Sequence, residues 1–145
     1  MSLLEKLRAT ATKSPWIYRI NAGSCNGCDV EMVATALLPR YDIERLGCQY
    51  CGSPRHADIV LISGPLTARV LEAAKRVFAE VPDPKVTVAV GVCPISGGIF
   101  RESYAVRAPA DQYFPIDVNV PGCPPRPEAI IEGVAKAIEI WRSRL

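Results

Sequence analysis

No apolar run in this sequence is long enough to cross a bilayer. The longest, such as Ile59 to Ile62 and Val86 to Val90, fall far short of the roughly 20 residues that a spanning helix needs. The opening Met1-Ser2-Leu3-Leu4-Glu5-Lys6-Leu7-Arg8 lacks the apolar core and cleavage pattern of a secretory signal. The expected compartment is therefore the reducing cytoplasm, where six cysteines argue for metal or redox chemistry rather than disulfides. No basic block is present either. The formal charge of +2 comes from interspersed residues, which gives no electrostatic case for nucleic acid. With no internal repeat, low-complexity stretch or linker, 145 residues read as one domain, large enough to bury a core without staples.

The elements follow from punctuation and periodicity. Residues 1–14 carry Leu3, Leu4 and Leu7 at helical spacing and read as an amphipathic N-terminal arm; residues 15–145 read as the folded domain. Trp16 to Ile20 is a strand candidate stopped by Asn21-Ala22-Gly23. Val30, Val33, Ala34, Leu37 and Leu38 then recur as one helix face, closed by Pro39. Tyr41 to Leu46 suits an edge strand, and Gly47 to Pro54 reads as a loop. Ile59 to Ile62 and Val86 to Val90 are continuous apolar runs, as in strands covered on both faces.

Between those two strands Thr67 is placed to cap a helix with Val70, Ala73, Ala74, Val77 and Phe78 inward. Pro94 to Phe100 reads as a loop and residues 101–114 as irregular. Ile116 to Val120 alternates like a half-exposed strand, and Pro127 opens a final helix with Ile130, Val134, Ala137, Ile138 and Trp141 inward. Strands alternating with helices describe an α/β fold, a mainly parallel sheet with helices on both faces.

The chemistry lies in the cysteines. Cys25 and Cys28 sit in Gly23-Ser24-Cys25-Asn26-Gly27-Cys28-Asp29-Val30-Glu31, where the first strand gives way to the first helix. Cys93 and Cys123 sit in the Gly/Pro turns Gly91-Val92-Cys93-Pro94 and Pro121-Gly122-Cys123-Pro124-Pro125. In a parallel sheet the strand C-termini share one rim, so these four thiols are expected to converge there. Four thiolates suit a four-iron four-sulfur cluster or a tetrahedral zinc. The many glycines beside them favour the cluster, because bare backbone approaches closely and aims N–H groups at sulfide.

Other groupings remain open at this level. Cys25, Cys28, Cys48 and Cys51 have a zinc-like spacing, with nineteen residues between Cys28 and Cys48, and would make a zinc-binding interaction module. A helix of about three turns between the pairs and the idle Cys93 and Cys123 count against it. A thioredoxin-like pair at a helix N-terminus explains two cysteines, and buried small hydrophobes explain any one of them.

The cysteine motifs, together with Gly52-Ser53-Pro54-Arg55-His56-Ala57-Asp58, Ser63-Gly64-Pro65-Leu66-Thr67, Gly97-Gly98 and Pro121-Gly122-Cys123-Pro124-Pro125-Arg126-Pro127-Glu128, resemble the small subunit of membrane-bound, energy-converting nickel–iron hydrogenases. That group is similar to the cluster-bearing subunit of respiratory complex I. The resemblance covers roughly residues 16 to 140. It implies a flavodoxin-like fold and one proximal four-iron four-sulfur cluster on Cys25, Cys28, Cys93 and Cys123.

The resemblance also implies an electron relay between a ferredoxin-like subunit and the nickel–iron site of a large catalytic subunit. The chain would then be a non-autonomous part of an oxidoreductase, held by integral membrane subunits on the cytoplasmic side of the membrane. In the complex I relatives the first two cysteines are adjacent, whereas Asn26 and Gly27 separate them here, which favours the hydrogenase branch over a quinone- or sulfur-reducing complex. Cys48 and Cys51 match nothing in the family pattern and are left unassigned: an extra metal shared with a partner's ligands, a redox pair and incidental or locally structural thiols are the three readings, of which the last is favoured.

Glu31 matches a family acid and is a proton-path candidate, set against a solvated carboxylate at a helix start. His56, the only histidine, resembles a position near the relatives' active-site interface but reads otherwise as a surface-loop residue. Arg55, Arg101 and Arg126 are candidates to meet cluster or partner charge, with solvation as the default. Trp16, Trp141 and Tyr50 are core or interface candidates.

Overall fold

The structure, a computed structural model, describes residues 14–145; apart from Ser14, the expected N-terminal arm lies outside the described residues. Five strands, β1 (Trp16–Asn21), β2 (Gln49–Tyr50), β3 (Ile59–Ser63), β4 (Val86–Val90) and β5 (Val118–Val120), form one sheet. Their order is β2-β1-β3-β4-β5 and every neighbouring pair is parallel. This is the flavodoxin-like order, with its switch point between β1 and β3. Helices α1 (Gly27–Leu37), α2 (Ala68–Ala79), α3 (Val92–Ser96) and α4 (Pro127–Arg144) connect and cover it.

β3 and β4 are buried at every position, as apolar runs between two helical layers should be. Their alternation sorts side chains between the layers. Ile59, Leu61, Val86, Val88 and Val90 pack with Met32 of α1 and with Ile130, Val134, Ala137, Ile138 and Trp141 of α4. Val60 and Ile62 pack on the other face with Leu66, Ala74 and Phe114. The inward set expected for α4 is buried throughout, and burying each of Ile130, Val134 and Ile138 contributes about 1.5–3 kcal/mol. Its far end is tied down by Trp141 Nε1 donating to the Pro84 carbonyl at 3.1 Å and by Arg144 pairing with Asp117 at 2.5 Å. In α2 the stripe is narrower than expected: Ala74 is buried, Val70, Val77 and Phe78 are half-buried, and Ala73 is exposed.

Five local expectations are corrected. The segment Tyr41 to Leu46 is not an edge strand. The Tyr41 and Asp42 amides donate back to the Leu38 carbonyl, and a 3-10 turn follows over Ile43–Leu46, anchored by buried Ile43. The edge strand is instead β2, within the expected loop, fastened by the Gln49 amide to the Pro15 carbonyl and the Cys51 amide to the Ile17 carbonyl. The stretch after Cys93 is a short helix, α3, bracketed by Gly91 and Gly97, both at positive φ. The last strand starts at Val118 rather than Ile116.

The fifth correction concerns α1, whose position is as expected but whose buried face is not. Cys28, Asp29, Met32 and Thr35 are buried, whereas Val30 is 65% exposed, Leu37 is 73% exposed, and Val33 and Leu38 also face out. Polar residues turn inward because their atoms are satisfied. Thr35 Oγ1 donates to the Met32 carbonyl at 2.6 Å, and Asp29 has three partners.

Candidate metal centre

Three connections at the C-terminal rim carry the thiols. β1 ends at Asn21, whose Oδ1 accepts from the amides of Gly23 at 3.0 Å and Ser24 at 2.9 Å, a side-chain-closed turn of the Asx type. That turn delivers Cys25 and Cys28 to the start of α1. Gly64, at φ +96, lies under the turn, since a Cβ there would meet the Ser24 amide. The connections after β4 and β5 are stitched together: the Gly91 amide donates to the Val120 carbonyl at 2.8 Å and the Val92 amide to the Gly122 carbonyl at 2.9 Å. Cys93 and Cys123 therefore come from joined loops.

Glycine clears the space beside three of the four sulfurs. A Cβ on Gly91 would lie 2.6 Å from Cys28 Sγ, one on Gly27 3.6 Å from Cys25 Sγ and 3.9 Å from Pro124, and one on Gly98 3.7 Å from Cys93 Sγ. Gly91 thus links the β4 connection to α1, and Gly27 links the first cysteine loop to the loop of Cys123. A cradle of bare backbone around soft donors fits an iron–sulfur cluster.

Electrostatics tie the same set together. Burial pushes the Cys28 thiol up to about 11, with further upward pushes from Cys93, Cys25, Asp29 and Cys123. The Cys93 thiol is raised by burial and then by Cys123 and Cys25. Thiolates packed this closely repel one another and need a positive centre between them. Cys25 and Cys123 are exposed, so the cradle opens at the surface. Among the described residues no three cysteine, histidine or carboxylate side chains close on a single ion position.

The match that decides the family is to the model of the NADH ubiquinone oxidoreductase 20 Kd subunit, which covers residues 25–137. The chain belongs to that family. It is 56% identical over 127 residues to the probable membrane-bound hydrogenase subunit mbhJ of Pyrococcus furiosus, covering 88% of this chain and 75% of that protein. It is 42% identical over 144 residues to formate hydrogenlyase subunit 7 of Escherichia coli, covering 99% of this chain and 54% of that one. Among solved structures, a chain of the archaeal membrane-bound sulfane sulfur reductase superposes with a TM-score of 0.80 at 37% identity. The superposition spans 95% of this chain and 76% of that one.

Members of this 20 Kd family are subunits of oxidoreductase complexes, and this chain is one such non-autonomous subunit. No helix among its described residues is long and apolar enough to cross a membrane.

The remaining sequence candidates separate by location. Cys48 and Cys51 stand apart from the rim thiols. Cys48 is buried with α1 and α4 and donates to the Ile43 carbonyl at 3.2 Å. Cys51 packs with the opposite layer and donates to the Ser53 carbonyl at 3.3 Å. Flanking the two residues of β2, they point to opposite faces of the sheet, which removes both the zinc grouping with Cys25 and Cys28 and a local redox pair.

His56 and Arg55 lie before β3, at the end of the strands remote from the thiols. The His56 ring sits 6.1 Å from that of Trp16, and Arg55 pairs with Glu80 at 2.7 Å. Arg101 and Arg126 are exposed, and Glu31 is half-buried on α1. Trp141 is core, while Trp16 is 40% exposed. Tyr50 is half-buried with its hydroxyl near Thr35. The structure adds Asp29, which the sequence reading passed over. Its signal was an acid directly after a cysteine, on a position that helical spacing from Met32 and Thr35 turns inward.

Proposed function

We propose that this chain is the electron-transfer subunit carrying one proximal four-iron four-sulfur cluster, bound by Cys25, Cys28, Cys93 and Cys123. It relays electrons between a ferredoxin-like subunit and the nickel–iron site of a hydrogenase large subunit. What supports the reading is that four thiols from three strand ends lie near enough for their charges to interact, beside close-approaching glycines and open to the surface at Cys25 and Cys123. A cluster bound there supplies a one-electron carrier. The chain supplies the rest: thiolate donors, close backbone, and a rim at which a partner can approach.

The partner faces are read from exposed apolar residues on α1, which starts at that rim and runs away from it, and on the segment that follows α3. Val30, Val33 and Leu37 on α1, and Ile99, Phe100 and Tyr104 after α3, are exposed. Apolar surface grouped in this way is what a large protein partner covers. A peripheral place on the cytoplasmic side, held by membrane subunits, completes the assembly. Hydrogen chemistry belongs to the large subunit. The Asn26-Gly27 spacer and the 56% identity to the Pyrococcus hydrogenase subunit support the hydrogenase branch. The likeness to the sulfane sulfur reductase chain favours a second reading, the same relay in a complex I-like sulfur- or quinone-reducing complex.

Anaerobic purification of the intact complex tests both levels. The expected product is brown, with iron and acid-labile sulfide bound to this chain and a reducible paramagnetic signal. A colourless chain with stoichiometric zinc would overturn the cluster. The co-purifying large subunit decides the branch: two CxxC pairs able to bind nickel are expected, and their absence points to the sulfur- or quinone-reducing complex.

A further inference from the structure

The first cysteine loop is braced by a buried acid. Asp29 directly follows Cys28 and is 4% exposed. Its carboxylate accepts from Ser63 Oγ at 2.8 Å and from Asn21 Nδ2 at 3.2 Å, and pairs with the Arg19 guanidinium at 3.0 Å. Asn21 is the same residue whose Oδ1 holds the Gly23 and Ser24 amides. One carboxylate therefore joins the ends of β1 and β3, the first turn of α1 and the turn that leads into Cys25.

The ion pair is lopsided. The Arg19 side chain is 40% exposed and that of Asp29 only 6%. Water screens the positive end much more than the negative end, and the negative end lies beside Cys28.

We propose that Asp29 is a positioning residue for the Cys25–Cys28 loop. Its Arg19-balanced charge also holds the reduction potential of the group on that loop below the value a neutral residue would give. This rests on the cluster reading above. Adding an electron beside a fixed negative charge is disfavoured, and a neighbouring positive charge offsets that effect. The two partners thus act in opposite directions, which a merely structural brace would not do.

The test uses the intact complex at one fixed pH. Iron and sulfide content, the paramagnetic spectrum and the midpoint potential are measured for wild type, Asp29→Asn, Arg19→Gln and Arg19→Lys. Asp29→Asn keeps the size of the side chain and its Ser63 contact; it is expected to retain iron and sulfide and to shift the midpoint positive. Arg19→Gln, which leaves the buried carboxylate unbalanced, is expected to shift it negative, and Arg19→Lys to leave it in place. Equal midpoints in all four proteins, or shifts of the same sign in Asp29→Asn and Arg19→Gln, would overturn the proposal. If Asp29→Asn does not assemble, the contrast between Arg19→Gln and Arg19→Lys decides. A wild-type complex without iron and sulfide on this chain would defeat the cluster reading instead, so the two failures are distinct.

Discussion

Replacing Gly91 by alanine should strike the metal centre through one methyl group. Gly91 has φ 90° and ψ 165°, in a region that essentially only glycine occupies, and forcing another residue there costs about 1–3 kcal/mol. The added Cβ would also stand 2.6 Å from Cys28 Sγ, about 1 Å inside ordinary contact. The Gly122 carbonyl at 3.4 Å and Pro125 at 4.0 Å wall the other sides. The Gly91 amide is held by Val120. The sulfur must therefore move, although the Asp29 contacts hold the first turn of α1 in place. Gly91→Ala should lose most of the iron and sulfide, and denaturant melts should show a loss of about 1–3 kcal/mol. Gly52→Ala is the control, since nothing lies within 4 Å of a Cβ there, and it should change stability by less than about 1 kcal/mol with iron unaffected. A Gly91→Ala chain with full iron, full sulfide and an unaltered spectrum would refute the placing of Cys28 in the cradle.

Cys93→Ser and Cys123→Ser should each abolish the iron signal, whereas Cys48→Ser and Cys51→Ser should keep it; iron analysis of the four variants separates the groups. Burial holds the Cys48 thiol at about 11 against an ordinary 9.0. The raised value favours the native state below pH 9, and that contribution is lost as pH rises toward 11. Denaturant melts of wild type and Cys48→Ala should therefore converge above pH 9, and native Cys48 should resist alkylation at neutral pH. On the exposed face of α1, Leu37→Asp should weaken co-purification of the large subunit while leaving the melting of the isolated chain within about 0.5 kcal/mol of wild type. An unchanged complex would remove α1 from the interface.

Much of the fold was legible because burial leaves plain marks. β3 and β4 read as continuous apolar runs and α4 as a regular stripe, and both patterns follow from covering by a second layer. The rim position of Cys25, Cys93 and Cys123 followed from strand ends and parallel topology alone. The α1 face was misread for a physical reason: an apolar stripe reports that something must cover it, without saying whether that is this chain's core or another protein. Val30 and Leu37 carry the hydrophobicity outward, while Asp29 and Thr35 turn inward on paired polar atoms that no periodicity encodes. β2 was missed because two residues held by flanking amides have no pattern of their own, and the strand reading of Tyr41 to Leu46 could not register that its amides return to Leu38.

The stitching of the β4 and β5 connections also bears on how the centre is built. The thiols at positions 25 and 123 become neighbours only after the last strand has docked and the Val92 amide has found the Gly122 carbonyl. On the proposed cluster reading, a nascent chain still short of that strand lacks one of the four donors, so loading would be a late event on an almost finished domain. Because Cys25 and Cys123 open outward, it would precede the arrival of whatever subunit covers the rim, and the geometry that collects the donors would set the order: fold, load, then dock.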